Sequence, residues 1–139
     1  MSDCSVYLTF NGNCREAFDF YRSVFGGDFD YITTFDELPE KYERAPEDSD
    51  RIMHVSLPVK EGLLMGSDTF SAMGNVDFGN NFSISVTTSS IEETDTFMER
   101  MSTNGKVTMP AEKTFWGAYF GMCCDQFGIN WMFSCPAEE

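Results

Sequence analysis

Four short runs of this chain alternate between apolar and polar residues, and two other runs repeat apolar residues at helical spacing. Val6-Tyr7-Leu8-Thr9-Phe10 alternates strictly and predicts a strand. Asn11-Gly12-Asn13 reads as a turn, with Asn13 placed to cap a helix. Cys14, Ala17, Phe18, Tyr21, Val24 and Phe25 then recur at helical spacing, and Gly26-Gly27 ends the helix. Residues 29–35 return as a strand. Residues 37–50 hold six acids (Glu37, Glu40, Glu43, Glu47, Asp48 and Asp50) with Pro39 and Pro46, which predicts a solvated loop. Ile52-Met53-His54-Val55-Ser56-Leu57 alternates again, and Lys60-Glu61-Gly62 turns into Leu63-Leu64-Met65-Gly66.

The second half repeats this order. Residues 81–86 predict a strand. Ser90-Ile91-Glu92-Glu93 is a capping box, and Ile91, Thr94, Phe97, Met98 and Met101 form a helical stripe that Asn104-Gly105 stops. Short strands follow at 107–109, 118–124 and 129–133. The pattern strand–helix–strand–strand–strand thus occurs twice, in modules 1–69 and 79–135, joined by a Gly-rich stretch at 70–79. The fold class is α+β, two βαβββ modules within one 139-residue domain.

One helix per module covers one face of its sheet. The greasier faces belong there: Val6, Leu8 and Phe10; Met53, Val55 and Leu57; Phe82, Ile84 and Val86; Ile129, Trp131 and Phe133. The opposite faces carry Ser5, Tyr7 and Thr9; Ile52, His54 and Ser56; Asn81, Ser83 and Ser85; Asn130, Met132 and Ser134. Alternation leaves open whether these mixed faces enclose a cavity, meet water or meet a second subunit.

The net charge of −14, from 9 basic and 23 acidic residues, sets aside nucleic acid and anionic membranes as partners. No apolar stretch has the length of a membrane helix, and the first residues lack signal-peptide character. Five cysteines without a C-x-x-C pair suit free thiols in the cytoplasm.

Several words resemble one family closely. They are the run from Asn11-Gly12-Asn13 to Tyr21, Leu64-Met65-Gly66-Ser67-Asp68, Gly79-Asn80-Asn81-Phe82-Ser83 and Gly105-Lys106-Val107-Thr108-Met109-Pro110. Most specific is Thr114-Phe115-Trp116-Gly117-Ala118-Tyr119-Phe120-Gly121, followed by Asp125-Gln126-Phe127-Gly128. Together they resemble the PhnB-like, demethylubiquinone methyltransferase-like branch of the vicinal oxygen chelate superfamily, which includes glyoxalase I, extradiol dioxygenases and bleomycin-resistance proteins. The resemblance spans nearly the whole chain except the acidic loop. It implies curved mixed sheets around a cavity and a homodimer.

The resemblance also places the superfamily's metal-ligand positions on Ser5, His54, Asn81 and Met132. Serine and asparagine are poor neutral donors and a thioether prefers soft ions, so this set implies no divalent metal and no cofactor. The reading is a metal-independent protein that binds an unidentified small molecule through His54, Asn81, Trp116, Tyr119 and Met132. Catalysis is left open. His54, the only histidine, is the candidate catalytic proton acceptor of a metal-free enzyme, and a lyase, isomerase or dioxygenase is the other alternative. The family label suggests a methyltransferase, but no Gly-rich loop or other S-adenosylmethionine signature is visible.

Overall fold

In the first half, β1 (Val6–Phe10), α1 (Cys14–Phe25), β2 (Tyr31–Thr34), β3 (Ile52–Val59) and β4 (Gly62–Asp68) follow in order. The second half gives β5 (Ile84–Thr87), α2 (Ile91–Met101), β6 (Lys106–Lys113), β7 (Ala118–Cys124) and β8 (Asn130–Pro136). This computed structural model describes residues 4–39 and 45–137. The sheets have the orders β1-β4-β3-β2 and β5-β8-β7-β6. The first strand of each lies parallel to the last, and the other pairs are antiparallel. This is the two-module α+β fold expected of the glyoxalase-like pattern. By contacts the chain divides into two compact units, Met1–Asp77 and Phe78–Glu139.

Within the first unit, Leu8, Phe10, Val55, Leu57 and Leu64 are buried together with Phe18, Tyr21 and Val24 of α1. Phe10 meets Phe18 edge to face at 6.2 Å. Each such side chain contributes roughly 1.5–3 kcal/mol through burial. Gly66 lies between Leu8 and Val55 in the sheet register. A Cβ there would stand 2.7 Å from the Phe18 ring and 2.8 Å from the Leu8 carbonyl, so glycine lets α1 approach. In the second unit Trp131 and Phe133 are fully buried, and Phe97 of α2 packs 5.7 Å from Phe133.

The helix starts differ from one another. Ser90 caps α2 as its sequence predicts, accepting from the Glu93 amide at 3.0 Å. Asn13 makes no side-chain cap to α1. Its place is taken from 54 residues away by Asp68, whose Oδ1 accepts from Gly12 N at 3.0 Å and Cys14 N at 2.9 Å. Oδ2 of the same carboxylate accepts from Ile52 N at 2.9 Å.

Four strand assignments are corrected. The 29–35 strand is shortened to Tyr31–Thr34 because Phe35 enters a 3-10 turn, Phe35–Glu37. In β3, Thr33 pairs with His54 and Thr34 with Ile52, which leaves Met53 unpaired as a bulge. The alternation shifts there, so Ile52 is fully buried and Met53 is half-buried, the reverse of the expected order. The 81–86 strand begins only at Ile84, where pairing with β8 begins. Phe82 is consequently 53% exposed rather than in the core. The 107–109 strand extends to Lys106–Lys113, with Pro110 tolerated because β6 is an edge.

The acidic loop is not uniformly solvated. Asp48, in the 3-10 turn Pro46–Asp48, is 2% exposed. It accepts from Ser71 N at 3.0 Å and Ser71 Oγ at 3.0 Å, and Arg51 Nε lies 3.8 Å away. Glu40 and Glu43 lie outside the described residues.

Candidate functional site

In the first unit the face away from α1 is the opposite of the one that holds Gly66. Register sets Tyr7, Met65, Ser56 and Tyr31 side by side in one row across that face, with Thr33 opposite His54 next to it. The Tyr7 hydroxyl lies 3.3 Å from His54 Nδ1, and the two rings stack with centroids 5.7 Å apart. Tyr31 approaches the imidazole from β2 at 5.8 Å. His54 is therefore flanked by two phenols, and both are about half exposed (48% and 53%). The opposite-face assignment of His54 and Tyr7 holds; Tyr31 was not singled out because the strand carrying it is short and weakly patterned. Ser5 is exposed and precedes β1.

In the second unit the corresponding row reads Ser85, Met132, Met122 and Met109, one from each strand. Next to it, Phe120 pairs with Ser134. Trp116 packs against Phe120 at 5.8 Å and is 57% exposed, with Phe115 beyond it. Met132 and Trp116 thus belong to one sheet face and its rim. Asn81 is exposed and lies before β5. Tyr119 is elsewhere. It pairs with Cys135 on the helix side, and its hydroxyl donates to Asp95 of α2 at 2.6 Å. That bond pushes the Tyr119 phenol up to about 12. The β7–β8 register therefore puts Tyr119 on the opposite face from Met132, contrary to their expected grouping in one site.

The donors seen around His54 are two phenols, a poor match for a divalent ion that takes imidazole, thiolate or carboxylate. Among the described residues no three His, Cys, Asp or Glu groups stand together in a way that holds a metal. The nucleotide-like cofactor of a methyltransferase fits no better. The β1–α1 turn is Asn11-Gly12-Asn13, and the amides of Gly12 and Cys14 at the helix start are already taken by Asp68. That terminus offers its donors to a carboxylate of its own chain, not to an anionic ligand.

A glyoxalase/bleomycin resistance protein/dioxygenase family enzyme from Burkholderia phytofirmans PsJN has the same fold. Its TM-score is 0.61 at 11% identity, covering 95% of this chain and 96% of that one. The two-module plan is therefore the glyoxalase/bleomycin resistance/dioxygenase fold. Within it, residues 2–134 match the 3-demethylubiquinone-9 3-methyltransferase family, and the chain belongs to that family. Protein PA1353 from Pseudomonas aeruginosa is 38% identical with a TM-score of 0.87, over 98% of each chain. Protein YjdN of Escherichia coli (strain K12) is 28% identical over 143 residues, 97% of this chain and 96% of that protein.

Proposed function

We propose that this protein binds a small, partly aromatic molecule and does so without a tightly held divalent metal. The carrying observation is the environment of His54. Its ring lies between Tyr7 and Tyr31, with Nδ1 3.3 Å from the Tyr7 hydroxyl. Exposed rings of this kind offer stacking area and a few polar contacts, as small-molecule sites require. The second face supports the same reading through Met132 and Trp116, with Asn81 at its approach. Tyr119 contributes from the far side of its strand, by holding β7 on α2. The protein works as a homodimer in the cytoplasm. Five free cysteines support that compartment, and among the described residues no helix is long and apolar enough to cross a membrane.

A metal-free acid/base enzyme is the second reading. The 3.3 Å contact from Tyr7 to His54 favours it, since a phenol on Nδ1 selects one tautomer of the imidazole. The methyl transfer in the family's name is not carried over, because the amides at the start of α1 are held by Asp68.

Two measurements test the reading. Elemental analysis of tag-free protein should find no zinc, nickel, manganese or iron at stoichiometric level; about one such ion per chain overturns it. A thermal-shift screen of aromatic small molecules should give hits whose shifts shrink in His54→Ala and Trp116→Ala. Loss of turnover in His54→Ala with binding retained would select the enzymatic reading.

A further inference from the structure

The second sheet gathers sulfur atoms beyond the Met132 that the aromatic-ligand reading uses. Met109, Met122 and Met132 stand next to one another on β6, β7 and β8, since Met122 faces both Met109 and Met132 in register. Cys124 lies two residues after Met122 and so on the same face of β7. It pairs with Asn130 on β8. The other face of β7 is the core side: a Cβ on Gly121 would touch Met98 of α2, and Cys123 is buried. Met122, Met132 and Cys124 are all half-buried, and Met109 is 40% exposed, so none is consumed by the core. Facing Cβ atoms on neighbouring strands are about 4.5–5.5 Å apart and diagonal ones about 7–8 Å. That spacing is within reach of two flexible thioethers and a thiol converging on one atom.

We infer that Met122, Met132 and Cys124 form a binding site for a soft monovalent metal ion, Cu(I) or its stand-in Ag(I), with Met109 as a flanking donor. Thioether and thiolate sulfur select such ions, and the hard or borderline ions that need imidazole and carboxylate are not served here. Met132 also belongs to the proposed ligand face, and the test below reads the ion alone. Binding replaces the Cys124 proton: the S–H bond breaks, a metal–sulfur bond forms, and one proton leaves for solvent. No electron is transferred. Burial raises the pKa of this thiol, and the neighbouring Asp125 raises it further, while Lys106 opposes the shift. Lys106 faces Cys124 across the β6–β7 pair and favours the thiolate that the ion neutralises.

The test uses reduced full-length protein carrying Cys4→Ser, because Cys4 is an exposed free thiol. Cu(I) is titrated anaerobically against a chromophoric Cu(I) chelator, and Ag(I) by calorimetry in two buffers of different ionisation enthalpy. The expected result is about one ion per chain with about one proton released, weakened roughly tenfold or more in Met122→Leu, Met132→Leu and Cys124→Ser. No stoichiometric binding, or binding that the Met122→Leu/Met132→Leu double variant leaves unchanged, overturns the site. Leucine conserves volume, so these variants should fold. If one does not, copper-edge X-ray absorption of the parent decides alone: an all-sulfur shell supports the site, and a nitrogen or oxygen shell overturns it.

Discussion

Tyr7 and His54 are 47 residues apart in sequence, yet the phenol lies 3.3 Å from the imidazole Nδ1 and the rings stack at 5.7 Å. The contact bridges β1 and β3 across β4, so it depends on the parallel β1–β4 pairing. Tyr7→Phe removes the hydroxyl and keeps the ring. The pair is exposed, so stability should change by less than about 1 kcal/mol. The imidazole tautomer should change measurably, read from the nitrogen shifts of His54 by NMR. An unchanged tautomer would show that the hydroxyl does not set it.

Asp68 holds three chain segments with one buried carboxylate. Asp68→Ala leaves the amides of Gly12, Cys14 and Ile52 without their acceptor. The expected loss is roughly 3 kcal/mol in urea unfolding. Asp68→Asn keeps one accepting oxygen and should fall between the two. Asn13→Ala, by contrast, should cost little, because that side chain caps nothing.

Gly66→Ala tests the close approach of α1. The new methyl would meet Phe18 and the Leu8 carbonyl, one a ring that can shift and the other backbone that cannot move alone. A destabilisation of about 1–3 kcal/mol is expected, seen as a lower urea midpoint at an unchanged m-value.

Alkaline pH should weaken the fold through buried thiols. Burial pushes Cys123 from 9.0 up to about 12, and desolvation raises Cys14 as well. The native protein keeps these protons at pH values where the unfolded chain loses them. Unfolded chains then bind fewer protons, so stability is complete below about pH 9 and falls as pH rises from there toward about 12. Each thiol contributes at most about 1.4 kcal/mol per pH unit to that slope. Cys123→Ala should show a shallower decline than the parent between about pH 9 and 10.5 in chemical unfolding.

Most of the architecture was legible in the chain. The doubled strand–helix–strand–strand–strand plan, the start and end of α1 and the Ser90 cap follow from local periodicity and from Gly26 and Gly105. The errors fall where a partner strand decides. Met53 becomes a bulge only because β2 pairs with β3 across it, and residues 81–83 stay out of β5 because β8 pairs only from Ile84 onward. Asp48 looked like another loop acid until Ser71, 23 residues on, supplied its donors.

By itself the sequence determined which residues alternate, and hence that Tyr7 and His54 lie on the less apolar faces of their strands. It also determined the family, through words that cover almost the whole chain. Only the tertiary structure decided who stands beside whom. Local periodicity assigns a face to each strand but is silent about strand order and register. Those come from the packing of α1 and α2 on their sheets, and they put Tyr7 and Tyr31 around His54, gather the methionines into one row and give Asp68 three amides to hold.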